Sequence, residues 1–284
     1  MFKKEPKISA VMCTYKRFSC VERALNCFFM QSYNNKELII YNTDVDSPYL
    51  TDNNFTVSME GYENIPMSLH LNYGVTIINS NIDLITKEPY TNVGAIRRDA
   101  LKFATGDYVV TWDDDDIFLP HFMQQAVDRM YDTGLPSFKP EKSFFYIGGN
   151  LKLVSNTLEA SVVADINKVR EYGYLLETGK EGLGWYTKMR DNRELVEHDN
   201  YYIPSYCFNW NDGAAMLAPH KQSGDIDNPN NFENHKNASI DAVNGRRLTV
   251  YSIDEINNKI YYDYLRYLHL HKEEYPQELV DKYL

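Results

Sequence analysis

The chain has 284 residues, enough to bury a large core and long for one average domain. Its 43% apolar share excludes a disordered protein, and its formal net charge of -11 argues against a general nucleic-acid binder, which needs a basic stripe. No stretch approaches the ~20 apolar residues of a spanning helix, and the short charged start, Met1 to Pro6, is followed by no apolar signal run. The expected location is cytoplasmic.

Ile8 to Thr14 is an apolar run suited to a buried strand. From Ser19 to Met30, Val21, Ala24, Leu25, Phe28 and Phe29 recur at helical spacing, with Ser19 and Glu22 as a capping box. Cys20 and Cys27 share a face of that helix. With Cys13 and Cys207 they read as small buried hydrophobes in a reducing compartment, since none forms a CxxC pair. Glu37 to Tyr41 is a second buried strand, ending in the polar loop Asn42 to Pro48. This βαβ unit predicts a parallel sheet, with the ligand crevice beyond the carboxyl ends of its strands.

Residues 50 to 90 are poorly patterned apart from a strand at Tyr73 to Asn79. A helix is predicted over Asn92 to Phe103, closed by Gly106 as a C′ glycine. Asp107 to Trp112 is a strand that runs into four aspartates, Asp113 to Asp116, and Pro120 opens a helix through Met130. Further on, Phe144 to Gly148 and Leu151 to Val154 read as a β pair, and 165 to 205 as loops and short helices. Gly213 to Ala218 and Leu248 to Ser252 read as strands, Ser239 to Gly245 as a helix, and Ile253 to Leu270 as an amphipathic helix. The division expected is 1–130, 131–252 and 253–284, the last as a helical tail.

Four consecutive aspartates at a strand end are hard to explain as structure alone. Adjacent carboxylates repel, and desolvating each costs several kcal/mol unless something neutralises it. A divalent cation does so: Mg²⁺ and Mn²⁺ commonly keep one or two protein carboxylates, with phosphates and water filling the remaining positions.

The stretch Gly94 to Pro120 closely resembles the core of family 2 glycosyltransferases of the GT-A fold: a helix opened by an Arg-Asn pair, a small-residue-Gly pair, a strand, then Asp-x-Asp-Asp and a proline. Arg98-Asp99, Gly106, Asp113-x-Asp115-Asp116 and Pro120 stand in those places. Val11 to Arg17 is similar to the family's first strand and Thr-Tyr-Asn-Arg loop, and Gln31 to Ile40 to its Gln-Thr-Tyr…Glu-Ile-Ile segment. The resemblance covers about the first 125 residues. It implies an α/β, Rossmann-like, mostly parallel sheet flanked by helices, with a mixed acceptor-side region and a C-terminal helix.

For function the resemblance implies transfer of a sugar from a nucleoside-diphosphate sugar to an acceptor hydroxyl with Mn²⁺ or Mg²⁺, inverting as the first reading and retaining as the alternative if no base is suitably placed. Asp115 would ligate the metal. Asp113 would face the metal or the donor's ribose, with Asp114 beside them. Arg98 would lie along the donor, and Thr14, Tyr15 and Arg17 would contact the nucleotide. Where the family usually shows Asp-Asp-Gly-Ser to read the base, this chain has Asn42-Thr43-Asp44, so uridine is the default and Thr43 and Asp44 the candidates. An inverting transfer needs a carboxylate to deprotonate the acceptor. The family's is the acid of a Glu-Asp pair about a dozen residues before a glycine that ends a helix. Glu233-Asn234 before Gly245 fits (245 − 233 = 12), making Glu233 the first candidate and Asp212, then Asp225 and Asp227, the next. The alternative is that Glu233 only caps a helix. Trp185 reads as a sugar platform or a core residue, and His198 and His220 as ordinary polar residues.

The acceptor is left open among a growing glycan, a lipid-linked sugar, a protein and a modified base of phage DNA. A binding module that kept the metal and lost the base is the non-enzymatic alternative. A nucleotidyltransferase is disfavoured because Thr14 to Arg17 holds no glycine. The aromatic tail (Tyr261, Tyr262, Tyr264, Tyr267) reads as a helix packed on its own domain, with a homo-oligomer or membrane surface as the alternative.

Overall fold

Strand β1 (Ile8–Thr14) is buried along its whole length. Its side chains alternate between two cores: Ile8, Ala10 and Met12 enter one, Val11 and Cys13 the other. The computed structural model describes residues 5–46, 54–59, 62–70, 74–147, 150–156, 158–177, 180–197, 201–209 and 259–284.

After β1 come α1 (Phe18–Phe29), β2 (Lys36–Asn42), β3 (Asn54–Met59), β4 (Tyr62–His70), β5 (Val75–Asn79), α2 (Val93–Ala100), β6 (Tyr108–Thr111), β7 (Ile117–Phe118) and α3 (Phe122–Thr133). The chain continues through β8 (Ser137–Phe138), β9 (Lys142–Ile147), β10 (Asn150–Ser155), β11 (Val163–Asp165), α4 (Ile166–Tyr172), α5 (Leu183–Asp191), β12 (Leu195–Val196) and β13 (Tyr206–Asn209). At the C-terminal end stand α6 (Lys259–Leu270) and α7 (Gln277–Tyr283).

The main sheet runs β12-β8-β11-β6-β1-β2-β5-β4-β3, and its centre, β6-β1-β2-β5, is parallel. Helices cover both faces. Val21, Leu25 and Phe28 of α1 and Phe122 and Met123 of α3 pack on one side with Trp112 and Phe118; Ile96 of α2 and Trp185 and Met189 of α5 pack on the other. A second sheet, β10-β9-β13-β7, adjoins the first core through Phe118, Phe144 and Tyr206. This is the expected α/β architecture. The C-terminal helices join the first core: Tyr264, Leu268 and Leu279 are buried in it, and the Tyr264 ring stacks on Phe144 at 4.9 Å. The tail packs on its own domain.

Several boundaries differ from the sequence reading. The chain leaves β1 through Lys16 at φ 54 and enters α1 at Phe18, so Ser19 lies inside the helix and the N-cap position belongs to Arg17. α2 is capped by Asn92, whose side chain accepts from the Ala95 amide at 2.8 Å, and it ends in a 3-10 turn, Leu101–Phe103. Gly106 does not close it with a left-handed turn. A Cβ there would lie 2.6 Å from Ser9 Oγ and 2.7 Å from the Lys7 carbonyl, so the glycine lets the start of β6 approach β1. α3 begins at Phe122, two residues after Pro120, and ends at Gly134 at φ 71. The β9–β10 pair is found, with Ile147 opposite Asn150. The strands predicted at 213–218 and 248–252 and the helix at 239–245 lie outside the described residues.

Candidate active site

Strands β1 and β6 are neighbours, yet the chain runs from β1 outward through β2 and β5 before returning to β6. Their carboxyl ends therefore flank the point where strand order reverses, where open α/β sheets hold their ligands. Trp112 leads out of β6. It is fully buried, stacked on Phe118 at 3.8 Å, and its indole N–H donates to the Ala24 carbonyl at 3.1 Å. That anchor fixes the start of a tight turn, Asp113 to Asp116, in which the Asp116 amide donates to the Asp113 carbonyl at 3.3 Å.

The four aspartates divide into two kinds. Asp114 and Asp116 are buried and held on both sides. Asp114 accepts from Thr14 Oγ1 at 2.7 Å and pairs with Arg17 Nη1 at 3.0 Å. Asp116 accepts from the Tyr206 hydroxyl at 2.5 Å and the Asn209 amide at 3.1 Å. Asp113 and Asp115 are the more open pair, with side chains 25% and 14% exposed. Each has one oxygen engaged by an arginine, Asp113 Oδ1 by Arg97 at 2.8 Å and Asp115 Oδ2 by Arg17 at 2.7 Å. The Asp115 carbonyl accepts from Arg23 at 2.9 Å and Asn209 at 3.0 Å, which fixes the backbone beneath its side chain.

Burial pushes the Asp113 carboxyl up to about 7, against the pull of Arg97, and Asp115 adds to the rise. Burial likewise raises Asp114 to about 6, against Arg17, and holds Asp116 well above the carboxylate range. Charge is thus under-compensated at this turn, as expected of a cation seat. Among the described residues, no group of three or more His, Cys, Asp or Glu could hold a metal alone. Two carboxylates with phosphate and water completing the shell are the donor set that Mg²⁺ and Mn²⁺ accept, and Asp113 and Asp115 fit it.

The other residues singled out by the sequence fall into place around this turn. Thr14, at the end of β1, holds Asp114, and its carbonyl accepts from the Thr43 amide at 3.0 Å. Arg17 is buried and pairs with Asp114 at 3.0 Å and Asp115 at 2.7 Å, so it holds the acidic turn. Tyr15 is half-buried, with the Lys16 ammonium 5.1 Å from its ring centroid. Asp44 sits just past β2. Its amide donates to Asn42 Oδ1 at 3.0 Å, while its own Oδ2 is buried without a partner among the described residues.

Arg98 does not join the cluster. It pairs with Asp83 at 2.7 Å and Asp99 at 2.9 Å, and Arg97 takes the place beside Asp113. Adjacent helical residues point about 100° apart, so a one-residue choice within Arg97-Arg98 decides which reaches the site. Arg23, Tyr206, Asn209 and Glu181 were missed as well. Glu181 precedes α5 and lies 3.2 Å from Arg97. One signal was available for it: Arg193, which ends that helix region with φ 58, stands a dozen residues on (193 − 181 = 12), the spacing sought for the family's acidic pair. With Arg in place of glycine there, the sequence concealed it. The neighbour of Glu181 is Gly182, where a Cβ would lie 2.1 Å from Glu159 Cγ. Trp185 is a core residue, 2% exposed, edge-on to Tyr186. Glu233, Asp212, Asp225, Asp227, His198 and His220 lie outside the described residues.

Residues 77–142, from β5 through α3, match the profile described as glycosyl transferase family 2. The chain is 23% identical over 203 residues to the Escherichia coli UDP-Glc:alpha-D-GlcNAc-diphosphoundecaprenol beta-1,3-glucosyltransferase WfgD, covering 69% of this chain and 67% of that one. Among solved structures it is similar to the 1–349 fragment of S. aureus TarS. With UDP-GlcNAc bound, that fragment superposes with a TM-score of 0.54 at 13% identity over 82% of this chain; with UDP bound, the values are 0.52, 14% and 72%. The chain spans 66% and 60% of the length of those two. The matched profile spans the acidic turn at the strand-order reversal, and over that stretch the chain is similar to the family 2 glycosyltransferases.

Proposed function

We propose that the protein transfers a sugar from a nucleoside-diphosphate sugar to an acceptor hydroxyl, with a divalent cation seated on Asp113 and Asp115. One observation carries this reading: of four consecutive aspartates, Asp114 and Asp116 are locked by protein partners, and the two left open face the crevice where β1 and β6 end. A cation bound there supplies Lewis-acid stabilisation of the charge that develops on the departing nucleoside diphosphate.

The chain's own residues do the rest. Thr14, Arg17 and Arg23 hold the acidic turn before any ligand arrives, so little reorganisation accompanies binding. Asp44 is the base-reading candidate: a buried carboxylate oxygen without a partner is stabilised by a ligand N–H or O–H. Uridine is the first base to test. WfgD carries UDP-Glc in its name, and the TarS crystals hold UDP and UDP-GlcNAc. An inverting course needs a carboxylate near the acceptor, and Glu233 and Asp212 remain the candidates. Glu181 is 5% exposed and committed to Arg97, which disqualifies it as that base. The net charge of -11 favours an uncharged or lipid-linked glycan acceptor over a polyanion.

The test is thermal melting of the protein with UDP, GDP and their sugars, with and without Mn²⁺. A ligand at 100 times its Kd stabilises by ~2.7 kcal/mol. The expected result is a shift that needs both UDP and Mn²⁺ and disappears in Asp115→Asn. No shift with any nucleotide in either condition overturns the reading.

A further inference from the structure

We propose that Glu181 is a positioning residue that draws on the Arg97 guanidinium and thereby leaves Asp113 available to a cation; this rests on the metal seat proposed above. One nitrogen, Arg97 Nη2, faces both acids, at 2.8 Å from Asp113 Oδ1 and 3.2 Å from Glu181 Oε1. Arg97 Nε and Nη1 are buried and make no hydrogen bond among the described residues, so the pairing passes through Nη2 alone. Glu181 Oε2 is buried and unpartnered in the same way. One positive charge thus stands against two carboxylates, and the trio carries a net negative charge at the edge of the acidic turn.

The arrangement is built into the backbone. A Cβ on Gly94 would lie 1.8 Å from the Leu175 carbonyl oxygen, so the helix carrying Arg97 and the segment leading to Glu181 touch main chain to main chain. The Gly94 amide donates to the Glu177 carbonyl at 3.3 Å, and the Leu175 amide to the Glu181 carbonyl at 2.8 Å. Arg97 therefore lies between two acids carried on elements whose main chains are in contact. Were Glu181 neutral, the guanidinium would compensate Asp113 fully, and the pull of the site on a cation would fall.

The experiment measures Mn²⁺ affinity of the full chain, without nucleotide, from the electron paramagnetic resonance signal of free Mn²⁺, with thermal melting as the check on folding. Glu181→Gln should weaken Mn²⁺ binding by about tenfold, and Glu181→Asp, which keeps the charge, should stay near wild type. In an Arg97→Gln background the same Glu181→Gln change should shrink to within about twofold, because its route through Arg97 is gone. Glu181→Ala replaces the glutamine variant if the latter does not fold. If Glu181→Gln binds Mn²⁺ like wild type while Asp115→Asn does not, the role of Glu181 is overturned and the metal seat stands. A loss of equal size in the Arg97→Gln background overturns it too, since Glu181 would then act on the ion without Arg97. If the wild-type chain takes up no Mn²⁺ either alone or with UDP added, the metal seat and this inference fall together; uptake only with UDP moves the same comparison of variants to the UDP-bound chain.

Discussion

The Thr14 hydroxyl donates to the Asp114 carboxylate across one hundred residues of sequence, at 2.7 Å and out of contact with water. The bond ties the end of β1 to the turn after β6, and the loss of either partner leaves a buried polar group unsatisfied. Thr14→Val keeps the shape and removes the donor. It should cost about 1–3 kcal/mol of stability, read from the urea midpoint at unchanged m-value. An unchanged midpoint would mean Arg17 alone suffices for Asp114.

Asp115→Asn and Asp113→Asn should each remove charge from the cation seat without opening a cavity. Sugar transfer or donor hydrolysis should fall on the order of 10²–10³-fold, which corresponds to about 3–4 kcal/mol of transition-state stabilisation. Asp114→Asn should instead act first on melting temperature, because its partners are Thr14 and Arg17. Equal effects of all three on activity at equal stability would contradict the division into open and locked aspartates.

Gly94 has no room for a side chain against Leu175. Gly94→Ala should be destabilising by about 1–3 kcal/mol, as overpacking against firm backbone is, despite the better helix propensity of alanine. A variant as stable as wild type would show that the 174–177 segment yields easily.

His121 lies fully buried before α3, 5.8 Å from the Tyr283 ring, and burial lowers its pKa to about 4, although the backbone at Ile203 and Pro204 favours its charged form. The unfolded chain takes up its proton near the ordinary value of ~6.5. Stability from the neutral imidazole is therefore full above about pH 6.5 and is lost progressively as pH falls through about 4, amounting to ~3 kcal/mol over that window. Melting temperature should fall with pH across it, and His121→Gln should flatten the slope. A slope identical in the variant assigns the acid sensitivity to other groups.

The parallel centre of the sheet was legible because β1, β2, β5 and β6 are covered on both faces and so read as near-continuous apolar runs. β3 and β4 were not. They extend one side of the sheet as an antiparallel pair, and β4 carries Glu63, Asn64 and Pro66 in a stretch with no clean alternation. The acidic turn was legible from its four letters, but its division was not. Which aspartates are locked depends on Thr14, Arg17, Tyr206 and Asn209, all ninety or more residues away. The same holds for Arg97 against Arg98, where the rotation of a short helix decides and the spacing does not.

The position of β1 beside β6 bears on how the site comes into being. The segment 77–142 contains all four aspartates and Arg97, but Thr14, Arg17 and Arg23 arrive only when the first strand inserts between β2 and β6. Such long-range closure is a late and slow kind of step. Until it occurs, the acidic turn is a patch of mutual repulsion in an open chain. The counter-cations that shape the turn double as a register check, because a β1 shifted by one residue would turn Thr14 to the opposite face and leave the aspartates unmatched.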